Sequence, residues 1–311
     1  MATTVGRKPG VWTYVAVAAA AVALILLLWK PTALIFGVQR AGLYAAIALP
    51  MALIVGIVGI INLAHGQMMM LAAYFVYLFS VTLHVDPLVA LIPAAVVLFG
   101  LGLLVYKGTI QHVLDAPELN QVILTFGIAI VASETVNLIA TTQPRKLSVD
   151  YASANMTIGE LSFGLFDFTY VLAAIVIVVG LTLFLRRTKL GKAATAAGQN
   201  PRGARIVGIN VNRTYMIVFG IAVGLLGIIG TLFAVRHSLF PGVGGPYTLK
   251  ALAIVAMAGL GNLSAVIWCS LGLGVAEAFI LSFRGYGGWA DIVFFALIII
   301  VIMARSYKRT H

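Results

Sequence analysis

Charged residues are scarce in this chain: they make up 9% of its 311 residues, while 62% are hydrophobic. A soluble globular domain carries about a quarter charged residues, so this composition cannot supply a water-facing surface. The scarcity excludes a soluble domain and fits a chain whose exterior is lipid. Acidic residues are the scarcer sign, nine against twenty Lys and Arg, for a net charge of +11. In a soluble protein that excess would raise nucleic acid as a partner. Here the basic residues serve topology and anionic lipid heads, and no nucleic-acid partner is expected. Cysteine occurs once, at Cys269 in an apolar run. One thiol makes neither an internal disulfide nor a metal site. The apolar residues come in long runs without strict alternation, which excludes an outer-membrane barrel.

A bilayer-spanning helix needs roughly 20 apolar residues. Candidate spans lie at about 11–29, 41–61, 67–83, 88–106, 121–140, 169–185, 214–235, 249–268, 270–283 and 290–304. They predict an all-α polytopic membrane protein of about ten spans, forming a single transmembrane domain over residues 1–311. The first run follows Arg7 and Lys8 and ends Leu28-Trp29-Lys30-Pro31 without a small-residue cleavage site, so it reads as an uncleaved span. The third and ninth runs are short, and the junctions at 62–66 and 259–264 are rich in glycine and polar residues. Half-helices broken at membrane depth are expected at one or both. The stretch Gly59-Ile-Ile-Asn62-Leu63-Ala64 also echoes Gly259-Leu-Gly-Asn262-Leu263-Ser264. An internal repeat and chance account for the echo equally well.

Charge orients the bundle. With the N-terminus inside, the inner segments carry 13 of the 20 basic residues, seven of them between Arg186 and Arg213 where no acid occurs. Basic residues accumulate in the cytoplasm, so both termini and the 186–213 loop are expected there. The opposite loop, 141–168, carries Asp150, Glu160 and Asp167 beside Arg145 and Lys146, and its pattern suggests a small hairpin or plug.

The basic loop contains more than charge. Asn200 suits a helix N-cap, Pro201 the first helical position and Gly208 a left-handed terminator. The implied helix, 201–207, has only two turns and is marginal alone in water. Ala204, Ile206 and Val207 offer it a small apolar contact surface. An ordinary basic loop lying on lipid heads and a docking helix for a soluble partner are both compatible with this spacing.

Three blocks carry a family resemblance. The segment Gln199-Asn200-Pro201, followed by Ala204-Arg205 and Gly208-Ile-Asn210, is similar to the cytoplasmic coupling segment of bacterial branched-chain amino-acid ABC transporter permeases. The stretch Gly56-Ile-Val-Gly59-Ile-Ile-Asn62-Leu-Ala-His65-Gly66-Gln67-Met68 resembles the most distinctive motif of that family, in its H-type form. Leu249-Lys250-Ala251, Gly259-Leu-Gly261-Asn262 and Gly274-Val-Ala-Glu277-Ala make a looser third block. The blocks stand in family order across about residues 40–304. After Gly261 the chain departs from the family's denser glycine pattern with Asn262-Leu-Ser-Ala-Val-Ile-Trp268-Cys269-Ser.

The resemblance implies a permease subunit of an ATP-driven importer in the bacterial inner membrane. Its implied partners are two cytoplasmic ATPases, a second permease subunit, homologous or identical, and an extracytoplasmic solute-binding protein. The implied substrate is a branched-chain or related amino acid, with urea or short amides as the alternative. Gln199, Asn200, Pro201, Arg202, Arg205 and Gly208 would then couple to the ATPases. No Gly-x4-Gly-Lys-Ser/Thr phosphate loop is present, since Gly191-Lys192 is followed by alanine, so ATP is expected to be used by partner subunits with no cofactor held by this chain.

Polar residues inside the apolar runs are the remaining candidates. Asn62, His65 and Gln67 sit at a helix junction, where free backbone groups are tolerated only in protein or around a watery cavity. With Gly66 they are candidates to line or gate the translocation path. The alternative is a capped turn with Asn62 and His65 bonded to local backbone, and for His65 taken alone that reading is favoured. Glu134, three residues before Asn137, and Glu277 also fall inside spans. Such acids are costly and face the bundle interior or a cavity. Each could bind substrate or carry protons, as a proton-coupled secondary transporter would need, and Glu277 joins the path candidates. For both, the favoured state is protonated and bonded to a neighbouring helix. Gly220, Gly224, Gly227 and Gly230 read as a packing ridge. No nucleophile triad, paired catalytic carboxylates or metal-ligand spacing is evident, so neither a catalytic nor a metal site is expected.

Overall fold

A computed structural model describes residues 31–310, apart from 160, 260, 284 and 286. The first predicted span, 11–29, lies outside the described residues. Helix α1 (Pro31–Leu53) is rich in alanine and glycine and buried without interruption from Ala41 to Leu53. Small side chains let neighbours approach its backbone on several sides. A Cβ on Gly37 would meet Val275, and one on Gly42 would meet Val171. Past Pro50 the helix continues as one π-helical turn, Ile54–Val58, closed by left-handed Gly59 donating to the Ile54 carbonyl. Single π turns tend to mark functional positions.

The chain then builds α2 (His65–Leu83), α3 (Leu91–Gly108) and α4 (Glu118–Ala140). An outer loop follows with a two-stranded antiparallel hairpin, β1 (Asn155–Ile158) and β2 (Leu161–Gly164), in which Asn155 pairs with Gly164. The hairpin predicted for 141–168 is therefore present. Tyr151 ties this loop to the α2–α3 connection by donating to Asp86 at 2.9 Å. Burial, then that hydrogen bond, pushes the Tyr151 phenol well above its ordinary pKa.

Helix α5 (Phe168–Arg187) runs from the hairpin to the basic loop, which folds into α6 (Lys189–Gln199) and α7 (Pro201–Ile206). Helix α8 (Val211–Arg236) returns, and Arg236 clamps Asp167 through two hydrogen bonds of 2.7 and 3.1 Å. The glycine ridge of α8 packs as its spacing predicts. Gly220, Gly224 and Gly227 lie against α3, and Gly230 lies against Met69 and Ala72 of α2. The last helices are α9 (Gly244–Ala258), α10 (Leu263–Leu281) and α11 (Trp289–Thr310).

Among the described residues seven segments are long and apolar enough to cross a bilayer: 31–58, 65–83, 87–112, 118–140, 168–187, 211–236 and 263–281. The spans expected at 249–268 and 270–283 are redrawn. The chain breaks at 259–262, where Gly259 and Gly261 have φ of 88° and 73°, a conformation side chains resist. Asn262 then caps α10 by accepting from the Ala265 amide at 3.1 Å. Helix α9 has only 15 residues, too few to cross alone. The two echo stretches share this construction only in part. Both carry a glycine at positive φ followed by an asparagine that accepts from a local amide. The geometry differs: ψ is 18° at Gly59 and 149° at Gly259, and Asn62 accepts from Ala64 without capping α2, whereas Asn262 is the N-cap of α10.

Helices α3, α4 and α5 leave large apolar side chains such as Ile92, Leu104, Leu138 and Leu172 exposed. An apolar exterior on a well-packed interior is the arrangement lipid solvates.

Candidate functional site

Three places gather the sequence-selected residues: the basic loop, the start of α2, and a cleft at the hairpin end.

In the basic loop each turn is locally specified. Thr188 caps α6 by accepting from the Gly191 amide at 2.9 Å. Asn200 ends α6 and caps α7, accepting from the Gly203 amide at 2.9 Å. Gly208, with φ of 84°, donates to the Arg205 carbonyl, and Ile209 donates to that of Ala204, which closes α7 in the usual left-handed manner. The helix ends at Ile206, one residue short of the predicted 207. The contact surface foreseen for Ala204, Ile206 and Val207 is divided. Ala204 is buried, whereas Ile206 and Val207 are 86% and 75% exposed. Gln199, Asn200, Pro201, Arg202 and Arg205 surround them at the surface.

Helix α6 was not foreseen. Its buried stripe is Gly191, Ala194 and Ala197, residues too small to register as an apolar face. The visible signal was Thr188 ahead of an alanine-rich run. Tyr215 of α8 anchors α6 by donating to the Ala197 carbonyl at 2.9 Å. A Cβ on Gly198 would meet Ile57 and the Gly56 carbonyl in the π turn.

At the start of α2, Asn62, His65 and Gln67 are buried in the bundle interior. His65 Nε2 pairs with the Ile47 carbonyl at 2.9 Å, and the Gly66 amide donates to Thr248 Oγ1 at 2.7 Å. Gly66 and Gly244 are in backbone contact, so the first turns of α2 and α9 press together. Asn62 Nδ2, His65 Nδ1 and Gln67 Oε1 have no partner among the described residues.

Glu277 is elsewhere. It accepts from Arg40 at 3.0 Å and from Lys250 at 3.1 Å, and Tyr44 donates to its other oxygen. Lys250 also reaches Asp291 at 2.9 Å and lies over the Phe294 ring. The bond to a neighbouring helix expected of Glu277 is present, through Tyr44 and Arg40 of α1, but ion pairs stand where a neutral carboxyl was expected, because two cations from α1 and α9 converge on it. Glu134 departs further from expectation. It is exposed, and its hydrogen-bond partner is Asn137 of its own helix, at 3.2 Å. Helix α4 packs chiefly on α2, so among the described residues its outer face meets no other helix. The Glu277 cluster borders a cleft of about 310 Å³ whose walls include Phe233, Phe240, Val243 and Pro246.

Helix α9 connects these places. Thr248 holds the start of α2, and Lys250 holds Glu277. Gly261, just past the end of α9, touches Gly56 of the π turn, which α6 also touches through Gly198. A contiguous series of contacts therefore runs from the basic loop to the cleft.

A lipid-exposed helical bundle with broken helices, a charged cleft at one end and a packed helical loop at the other defines a polytopic membrane transport protein. The chain belongs to the family described as branched-chain amino acid transport system, permease component, which it matches over residues 33–302. It is 27% identical over 287 residues to the high-affinity branched-chain amino acid transport system permease protein BraD of Pseudomonas aeruginosa, covering 88% of this chain and 92% of the relative. It is 26% identical over 281 residues to LivH of Escherichia coli K12, covering 86% and 91% respectively. The companion LivM of the same strain aligns over 123 residues at 30% identity, 38% of this chain and 29% of its own length. The resemblance to the H-type subunit is borne out by these matches. No solved structure gives a significant match.

Proposed function

We propose that this chain is the permease subunit of an ATP-driven importer of branched-chain or related amino acids. Both termini and the α6–α7 loop face the cytoplasm, where two ATPases dock. A second permease subunit completes the path, and an external binding protein delivers substrate at the hairpin end. The observation that carries the reading is the exposed apolar pair Ile206 and Val207 on a capped helix at the basic end. Ala204 tethers that helix to the bundle. Water gains nothing from two bare aliphatic side chains, whereas a partner groove does. A six-residue helix lacks the length to persist alone, so the caps and the packed α6 hold it ready for a partner.

In this reading ATP binding shifts the bundle between outward- and inward-open states because the partners bind the two states with different affinity. The contact series through Gly198, Gly56 and Gly261 carries loop motion to α9. The segment Asn62–Gln67 acts as the gate. Its first turn is wedged against α9, and its unpaired polar atoms can find new partners when α9 moves.

The test is uptake in proteoliposomes holding the whole complex. Leucine uptake is expected to need ATP and active ATPases and to survive dissipation of a proton gradient. Uptake that outlives ATPase inactivation and collapses with the gradient would replace this reading with secondary transport. Inverting two exposed charges, Arg202→Glu with Arg205→Glu, is expected to lower coupled uptake about tenfold, the scale of lost charge contacts at an interface. Membrane abundance should not change. Full uptake in that variant would leave these arginines outside the docking surface.

A further inference from the structure

We propose that the hairpin-end cleft receives the zwitterionic head of an α-amino acid, with its carboxylate on Arg40 and its ammonium on Asp291. This inference rests on the amino-acid importer reading and locates the substrate within it.

The cluster carries more charge than packing requires. Lys250 and Tyr44 already satisfy Glu277 from the interior. Arg40 adds a second cation through Nη1 alone, and its side chain remains 42% exposed. A guanidinium has five donors in a planar fork suited to a carboxylate. Among the described residues, Arg40 therefore brings donors to the cleft beyond those its ion pair uses. Asp291 stands on the other side of Lys250. It meets Lys250 through Oδ1 and is 71% exposed, so it has acceptor capacity left for an ammonium.

Charge balance selects the ligand. Arg40 and Lys250 offset Glu277 and Asp291, so the cluster is neutral. A zwitterion brings one charge of each sign and keeps it neutral. A lone amine or a lone carboxylate would leave an uncompensated charge in a partly desolvated place, which is costly. Next to the charges, Phe240, Val243 and Pro246 offer an apolar wall for an aliphatic side chain. The volume, about 310 Å³, lies at the small end of ligand sites. Lys250 sits on α9, two residues from the Thr248 contact with α2. Occupancy of the cleft would therefore act on the helix that also holds the gate.

The experiment measures binding of radiolabelled leucine to the permease–ATPase complex in nanodiscs, without binding protein. Competitors are 3-methylbutylamine, which lacks the carboxylate, and 4-methylpentanoate, which lacks the ammonium. Arg40→Gln is expected to weaken leucine at least about tenfold, the size of one charge-assisted contact, and not to weaken the amine, whose single charge balances the net negative cluster that remains. Asp291→Asn is expected to weaken leucine similarly and not to weaken the acid, whose charge balances the net positive cluster that remains. Glu277 keeps Lys250 and Tyr44 in the first variant, so folding is expected to hold, and thermal melting checks it. Variants that weaken all three ligands alike, or leave leucine within about twofold, overturn the proposal. So does a wild type that transports leucine but shows no binding, with the importer reading intact. A wild type that transports no α-amino acid removes both.

Discussion

Replacing Gly66 with alanine is expected to remove most of the folded protein from the membrane. The added Cβ would lie 1.9 Å from the Gly244 carbonyl oxygen and 2.5 Å from Thr248 Oγ1. The first obstacle is backbone, which cannot rotate away as a side chain can. Separating α2 from α9 would lengthen the 2.7 Å hydrogen bond from the Gly66 amide to Thr248. Overpacking typically costs about 1–3 kcal/mol and sometimes more, and losing a buried amide's partner adds about 1–3 kcal/mol. Against a total stability of about 5–15 kcal/mol that is a large loss. The control is Gly180→Ala, since a Cβ at Gly180 meets nothing within 4 Å. Membrane abundance and thermal melting compare the two. Equal abundance and equal melting would show that the α2–α9 contact yields easily and that its tightness has no structural weight.

The double substitution Ile206→Asp with Val207→Asp is expected to abolish ATP-coupled uptake and leave the bundle intact. Both side chains are exposed, so the folded chain loses little packing. The cost falls on the complex, where each carboxylate would be buried in an apolar groove without a partner. That costs several kcal/mol, enough for a loss of at least about 100-fold in affinity at 1.4 kcal/mol per tenfold. Co-purification with the ATPases and ATP-dependent uptake should fail together, with the melting temperature unchanged. Retained co-purification would move the docking surface away from α7. The milder Asn200→Ala removes only the cap that accepts from Gly203, worth about 1 kcal/mol, and is expected to weaken coupling partially by loosening the same helix.

The two variants probe parts of the chain that differed in legibility. Helix α7 could be placed from local rules because its cap, its proline and its terminator lie within nine residues of one another. The Gly66 environment could not, since Gly244 and Thr248 come from a helix far along the chain. The Asn62–Gln67 motif stood out as polar residues in an apolar run, but its burial and its pressing against α9 are products of packing. Arg40 and Lys250 went unremarked as site residues because each reads in sequence as an ordinary outer charge. Only folding brings them to Glu277, which is 237 positions from Arg40.

Local chemistry alone thus determined that this protein lives in a bilayer, which loop is basic, where α7 starts and stops, and that the glycines of α8 form a packing ridge. Each follows from composition or from neighbours within a few turns, where sterics and hydrogen bonding are short-ranged. The break at 259–262 falls inside the glycine-rich junction already legible in the sequence, whereas tertiary structure decided that α6 forms on a stripe of small residues, that Glu277 is ion-paired, and that Glu134 faces out of the bundle. These depend on which backbone a glycine touches and which cation reaches a carboxylate. Those partners are remote in sequence, and the apolar runs that bring them together specify burial without naming the neighbour.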